Sequence, residues 1–405
     1  MRLTILTQNY LPEPDPKMHV LAKGLVSRGH QVKVITGFPN YPQGRIYPGY
    51  RQKLWLKEVM DEVEVVRLPL YPDHSRSAVK RSAHYMSFAL SAAILGPFFA
   101  MPADVVFVYH PPSTLAIPAL VMKVLGRAPL VYEIQDMWPE TLAATGITRS
   151  SLVTKGVDWL CRLAYRQSTA ITIISPGFKR NLMAKGVPSE KIHVMMNWGY
   201  EGEFELASPD KELARELRME GRFNVVYAGN MGPAQGLGNV LDAAALLSDL
   251  PDVQFVLLGD GVELPELQEK AKTLRLSNMR FIPRLPMEKM PSIYPLAQVM
   301  LIHLTNDPLF EITIPGKTQS YLASGRPLLV SVKGDAADLV LEAGAGIASQ
   351  PSNPESLADA VRQLYNMPES RREAMGSAGR EFYESNLTPE VLISRYEELF
   401  CNLMK

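Results

Sequence analysis

The stretch FEITIPGKTQSYLASGRP, residues 310–327, decides how the chain is read. It reads as a loop that opens a helix and then stops. Pro315 suits a first helical turn, where its missing N–H costs nothing. Gly316 lets a ligand come close to the backbone. Lys317 sets a cation beside the exposed N–H groups of that turn, so the turn forms a site for an anion, most simply a phosphate. Pro315, Gly316, Lys317, Thr318 and Ser320 are its candidate binding residues, and Glu311 and Ser320 flank it within reach of hydroxyl groups. An ordinary capped connection between helix and strand carries the same pattern, and spacing alone does not separate the two.

Working outward, residues 299–304 read as a strand before this motif and LLVSV as a strand after it. The preceding stretch repeats the logic. Residues 223–228 are a strand that ends in GNMGPAQGL (229–237) and then a helix. Residues 253–258 are a strand ending in GDG, and 279–282 a strand ending in Pro283-Arg284. Strands that alternate with helices in this way build a parallel sheet whose ligand lies at the strands' carboxyl ends. The glycines of the 229–236 loop let backbone N–H groups face a diphosphate, which makes Gly229, Asn230, Gly232 and Gln235 candidates; a tight strand-to-helix turn reads the same. No Lys-Ser/Thr follows in the P-loop pattern, so a P-loop NTPase is excluded. Arg284, just past a strand end, suits a bidentate phosphate contact or stands as a solvated surface cation.

The first half of the chain is a second α/β unit. Strands at 2–7, 31–36, 63–69, 104–108, 129–134, 170–174 and 191–195 alternate with helical stretches. The first loop, NYLPEPDPK (9–17), lacks GxGxxG, so the dinucleotide fingerprint of a dehydrogenase is absent. FPNYPQGRIYPGY (38–50) is a long loop dense in Pro, Tyr and Gly. The strand at 129–134 ends in QDMWPE. Asp136 and Glu140 there can hold sugar hydroxyls or act as a base, and Trp138 offers a flat apolar face; Asp136 as a helix N-cap is the structural alternative. His19 and His110 are weaker candidates for an acceptor or sugar contact. The interdomain linker is placed in the irregular acidic stretch after NWGY (197–200).

Lys+Arg and Asp+Glu both number 42, so no net charge argues for nucleic acid. Cys161 and Cys401 are far apart, which excludes a disulfide framework and suits a reducing compartment. No His/Cys/Asp cluster has metal-ligand spacing. The N-terminal run lacks the long apolar region and cleavage site of a signal peptide. One segment strains a soluble reading: RSAVKRSAHYMSFALSAAILGPFFAMP, residues 76–102. Its apolar part, 86–101, is short for a span and is broken by Gly96-Pro97. Two readings stay open. In one the helix is core, with Phe88, Leu95 and Phe98 buried. In the other it lies in an anionic membrane surface, with Arg76, Lys80 and Arg81 among the head groups.

The set GHQVKVIT, FPNYPQG, DMWPE, YAGNMGPAQGL, LLGDG and IPGKTQSYLASGRP resembles the family 4 glycosyltransferases of the GT-B fold. Within them it resembles the enzymes of bacterial O-antigen, capsule and colanic-acid synthesis, N-acetylfucosaminyl- and fucosyltransferases among them. The resemblance implies two doubly wound Rossmann-like domains facing each other across a cleft. It implies an acceptor domain at 1–200, a nucleotide-sugar donor domain at 201–387, and a last helix, within 388–405, crossing back to the first. It also implies transfer with retention and without a metal or other cofactor. The donor is a nucleotide sugar, a UDP-sugar first and a GDP-sugar second. The acceptor is a polyprenyl-diphosphate-linked saccharide, which places the enzyme in the cytoplasm on the inner membrane face.

Three positions depart from the family pattern. Ser320 stands where a glutamate is usual, with Ile312 and Glu311 near the partner position. Asn230 and Gln235 stand where Arg and Lys are usual, which leaves Arg284 and Lys317 to bind phosphate. Gln135 replaces a histidine before Asp136. The same fold would also serve a sugar-nucleotide 2-epimerase, with Asp136 and Glu311 as acid and base, and the missing glutamate would suit a scaffold without catalysis.

Overall fold

The computed structural model describes residues 1–75, 77–100, 102–141, 151–199 and 209–405. Three residues of the sequence reading, Arg76, Met101 and Tyr200, lie outside the described residues. The chain divides into two compact units, Met1–Met195 with Leu392–Lys405, and Met196–Val391.

The first unit is built on eight strands: β1 (Arg2–Leu6), β2 (Gln31–Gly37), β3 (Leu56–Met60), β4 (Val63–Leu68), β5 (Val105–His110), β6 (Leu130–Ile134), β7 (Ala170–Ile173) and β8 (Ile192–Val194). Their order is β3-β4-β2-β1-β5-β6-β7-β8. The central strands are runs of Val, Ile and Leu buried on both faces, as a parallel sheet requires. β3 is the exception. It pairs antiparallel with β4 across a tight turn at Asp61 and Glu62, both with positive φ (47° and 63°). Neither is the glycine or asparagine that usually announces such a hairpin, so β3 was not foreseen.

The helices of this unit include α1 (Lys17–Ser27), α2 (Ala78–Ala100) and α3 (Ala116–Gly126). α2 is long and apolar enough to cross a bilayer by length and composition, and under half of its apolar window is buried. It fits neither of the two expected forms completely. Phe88 is fully buried and Leu95 partly, whereas Phe98 is 80% exposed.

The chain's last segment is held on this unit. Tyr396 and Phe400 pack their rings against Phe107, at 5.7 and 5.4 Å between centroids. Glu397 takes hydrogen bonds from Arg28 (2.8 Å) and His30 (2.7 Å). Gly24 of α1 makes room for Ile393, whose Cδ1 would lie 2.5 Å from a Cβ at that position. Beneath them Glu133 of β6 is fully buried. It accepts from Lys17 Nζ (2.7 Å), Tyr396 Oη (2.6 Å), Thr172 Oγ1 (3.3 Å) and the Gln135 amide. A carboxylate withdrawn from water in this way needs such partners.

The second unit has six strands: β9 (Phe223–Asn230), β10 (Val253–Asp260), β11 (Met279–Ile282), β12 (Val299–His303), β13 (Leu328–Ser331) and β14 (Gly346–Ala348). All are parallel, in the order β11-β10-β9-β12-β13-β14, with an apolar core on each face. Part of the stretch read as irregular linker is helical: Lys211–Glu216, capped by the Asp210 carboxylate on the N–H groups of Glu212 and Leu213. Each unit is a doubly wound α/β fold, as the alternation of strands and helices predicts.

Candidate active site

In the second unit the carboxyl ends of β9, β10 and β11 and the helix Lys317–Ala323 enclose a cavity of about 410 Å³. Gly229 and Asn230 end β9, Gly259 and Asp260 end β10, Arg284 follows β11, and Gly316, Lys317 and Ser320 come from the 310–327 motif. Leu285, Met290 and Tyr294 give one side an apolar wall. Gly229 and Gly259 are register partners at positive φ, and a Cβ on Gly259 would sit 1.9 Å from the Gly229 carbonyl oxygen. Only glycine lets the strands end this close, with bare backbone toward the cavity.

Lys317 gives the cavity its charge. Its Nζ is shielded from water, has no hydrogen-bond partner among the described residues, and lies over the Tyr227 ring, 3.6 Å from the centroid. A Cβ on Gly229 would stand 3.0 Å from that nitrogen. Burial pushes the Lys317 ammonium down from the usual lysine range to about 7. An anion in the cavity would supply the missing counter-charge. Arg284 is exposed and makes no hydrogen bond or ion pair among the described residues, so its guanidinium is also free for an anion. The motif helix is fixed by Tyr321, whose hydroxyl accepts from Ala228 N (2.8 Å) and donates to Ala228 O (3.0 Å).

The first unit gathers other candidates at the carboxyl edge of its sheet. Asp136 makes no hydrogen bond among the described residues, and burial lifts its carboxyl above the usual carboxylate range. His110 is buried with no partner at Nδ1 among the described residues, and desolvation holds it down at about 3, as the neutral imidazole. Its ring stands perpendicular to Trp138 at 5.9 Å.

Residues 16–198 match the family described as glycosyl transferase 4-like domain, and residues 210–382 the family described as glycosyl transferases group 1. The chain is a glycosyltransferase. It is similar to the putative colanic acid biosynthesis glycosyl transferase WcaI of Escherichia coli K12, with 26% identity over 413 aligned residues and 98% of each chain covered. Its fold is similar to that of Anabaena HepE, solved in complex with UDP-glucose, at a TM-score of 0.70, 15% identity, and 99% and 100% of the two chains covered. WaaG, a glycosyltransferase involved in lipopolysaccharide biosynthesis, aligns at a TM-score of 0.66 with 15% identity over 98% and 99%. The fold is GT-B.

Of the residues read from the sequence of this glycosyltransferase, Gly229, Asn230, Arg284, Gly316, Lys317 and Ser320 line the one cavity. Gly232, Gln235, Pro315 and Thr318 do not. Gln235 instead closes its own loop, its amide oxygen accepting from Gly232 N (3.1 Å) and Asn230 Nδ2 (3.2 Å). Thr318 is fully buried, and its hydroxyl has no hydrogen-bond partner among the described residues. Glu311 ends the short helix Pro308–Glu311, outside the cavity lining, and its carboxylate makes no hydrogen bond among the described residues.

His19 is a correction. Its Nδ1 meets Tyr10 Oη (2.8 Å) and its Nε2 meets Asp61 Oδ2 (3.0 Å), so it ties α1 to the β3–β4 turn and has no nitrogen left for an acceptor. Glu140 is partly engaged: one carboxylate oxygen is 2.5 Å from Lys185 Nζ, and the other is buried without a hydrogen-bond partner among the described residues. The alternative of Asp136 as a helix cap also fails, since it accepts no N–H among the described residues. Tyr227, Tyr321 and Asp260 were missed. YLASG placed Tyr321 on the right helix, but only the fold shows its hydroxyl reaching β9.

Proposed function

We propose that this glycosyltransferase takes its sugar from a nucleotide sugar, a UDP-sugar first and a GDP-sugar second, and passes it to a lipid-linked saccharide during bacterial surface polysaccharide synthesis. The observation that carries the reading is the shielded, unpartnered Lys317 ammonium in the second unit's cavity, with Arg284 and bare glycine backbone around it. A diphosphate is the anion that uses two cations and backbone N–H groups together. As the glycosyl bond breaks, negative charge grows on the departing nucleoside diphosphate, and preorganised cations stabilise it there. Two protein cations do the work that a bound metal would otherwise do, so the proposed reaction needs none.

Retention follows in this reading from attack on the face the diphosphate leaves, with a departing phosphate oxygen taking the acceptor's proton. Asp136 orients a donor or acceptor hydroxyl, and Trp138 offers a flat face to a sugar ring. The UDP-glucose complex of HepE, the putative role of WcaI in colanic acid synthesis and the role of WaaG in lipopolysaccharide synthesis support the donor class and the pathway class.

The test is calorimetric titration of the full chain with UDP, GDP, dTDP and ADP in EDTA. One nucleotide should bind with clear preference, and a bound ligand should raise the melting temperature by mass action. Absence of binding by all four in EDTA would overturn the reading. Incubation of the preferred sugar nucleotide alone should yield at most slow hydrolysis, whereas a new sugar nucleotide would indicate an epimerase.

A further inference from the structure

α2 is built the wrong way round for a core helix. Its buried face carries small residues, Ala89, Ala92, Gly96 and Ala100, with Phe88 as the only large apolar side chain sunk completely. Its large apolar side chains point out. Met86, Leu90, Ile94 and Phe98 recur every fourth residue on one face, and Leu90, Ile94 and Phe98 are 51%, 66% and 80% exposed. A 23-residue helix is about 35 Å long, so this stripe runs along much of the unit.

The stripe continues onto its neighbours. α3 packs beside α2, with Gly96 making room for Met122, and exposes Val124 and Leu125 at its end. Beyond the other flank, exposed Leu54 and Trp55 precede β3, and the Trp55 ring lies 5.8 Å from Phe99. From Ser82 to Met122 the only charged residue is Asp104, and that is paired with Arg2. No acidic residue lies on α2 or α3. Exposed cations stand at the rim: Lys80 at the start of α2, Arg51 and Lys53 in the segment before β3, and Lys57 near the end of α2, its Nζ 5.4 Å from the Phe99 ring centroid. Nothing among the described residues covers this face.

We propose that the α2–α3 face docks onto the surface of an anionic lipid bilayer, with Leu90, Ile94 and Phe98 entering the acyl boundary and the rim cations among the head groups. An apolar face with cations around it and no acid within it is complementary to anionic lipid. Trp55 sits at the rim, where an amphipathic ring suits the interface. A second copy of the chain fits less well. In a two-fold contact each end of the stripe meets its own kind or the opposite end, and every such pairing sets cation against cation.

The orientation suits the chemistry. The first turns of α2 stand at the sheet's carboxyl edge, where His84 Nε2 meets the Gln8 amide (2.7 Å) just past β1. One end of the lipid-facing stripe therefore lies at the edge that holds Asp136 and His110. The proposal rests on the lipid-linked acceptor proposed for this enzyme and names the surface that brings the enzyme to it. The Arg76 cation foreseen from the sequence lies outside the described residues, and the face stands without it.

The experiment is flotation of the full chain with two sets of vesicles, phosphatidylcholine alone and phosphatidylcholine with one third phosphatidylglycerol. The protein should float with the anionic vesicles, less so as salt rises. The variant Leu90→Ser/Ile94→Ser/Phe98→Ser should keep its melting temperature and nucleotide binding and float about tenfold less. A second variant, Lys53→Gln/Lys57→Gln/Lys80→Gln, should lose the preference for anionic lipid. Wild-type protein that stays at the bottom with anionic vesicles overturns the proposal, as does a serine variant that floats like wild type. A dimer that the serine variant dissociates, without vesicle binding, would assign the face to a second copy and also overturn it. Vesicle binding without transfer to any lipid-linked saccharide would leave the docking standing and overturn the acceptor reading instead.

Discussion

The carboxyl edges of the two sheets carry charged residues in similar places and use them differently. In the second unit Lys317 and Arg284 line the cavity with no hydrogen-bond or ion-pair partner among the described residues. In the first unit most charges face each other. Lys17 pairs with Glu133, Glu140 with Lys185, and His19 with Asp61. Glu13 accepts from three backbone N–H groups, those of Tyr10, Asn40 and Tyr41, and so binds the first loop to the long Pro-Tyr loop. A charge at a strand end marks a ligand when the protein leaves it unanswered, and marks scaffold when the protein answers it. By that criterion Asp136, which makes no hydrogen bond among the described residues, is a candidate ligand contact of the first unit, and the neutral His110, with no partner at Nδ1 among them, is a further unanswered polar group.

The largest effect should come from the scaffold side. Glu133→Leu leaves the buried Lys17 ammonium without its carboxylate and strips Tyr396 of its acceptor. Removing one partner of a buried pair costs about 3–5 kcal/mol. Chemical denaturation should show that loss, while the second unit's nucleotide affinity in the remaining folded protein stays at the wild-type value. A small loss of stability would mean that Glu133 is not the anchor described.

On the ligand side, Lys317→Ala should raise the Kd for the preferred nucleotide by about 1.5–3 kcal/mol, the range for charge-assisted hydrogen bonds, without a loss of stability. Its pH dependence sharpens the assignment. With Lys317 at about 7 in the free protein, a diphosphate that requires the ammonium must draw a proton in above that pH. The Kd should then rise by up to about tenfold per pH unit above 7, and Lys317→Ala should flatten that slope. Folding stability has its own sign: burial of the ammonium costs most below about 7, and the cost falls as pH rises from there toward the usual lysine range. A pH-independent Kd between about 7 and 9 would count against Lys317 as the phosphate cation.

The smallest effect is at the boundary of the comparison. Asp136→Asn should lower turnover about tenfold, the loss of one charged hydrogen bond to a hydroxyl, and leave donor affinity unchanged. Steady-state kinetics at saturating donor, with calorimetry beside it, reads both. A collapse of donor affinity with normal turnover would reverse the roles given to the two sheet edges.

The second unit was largely legible because its site is local. Gly229 ends β9, Arg284 closely follows β11, and Gly316-Lys317 lie in the connection between β12 and β13, and a parallel sheet brings such ends to one edge. The first unit was legible as a fold and much less so as a site. LVYEI shows a strand with one acid in it, and nothing nearby announces that Lys17 and Tyr396, distant in sequence, will fill its surroundings. His19 looked like a candidate for the same reason: its partner Asp61 belongs to a hairpin turn in which Glu62 stands where a glycine is usual. α2 defeated the periodicity argument from both sides, because small residues face in and large ones face out, and apolar content alone does not order the two.

The first unit is completed by Leu392–Lys405, a segment made after the whole of the second unit. A ribosome delivers β1 to β8, then the whole of the second unit, and only afterwards the helix that brings Tyr396 to Glu133 and Phe400 to Phe107. Domains usually fold in the order of synthesis. Here the earlier unit must wait, its buried carboxylate lacking one of its hydrogen-bond donors, while the later one can finish. The order of maturation is the reverse of the order of translation.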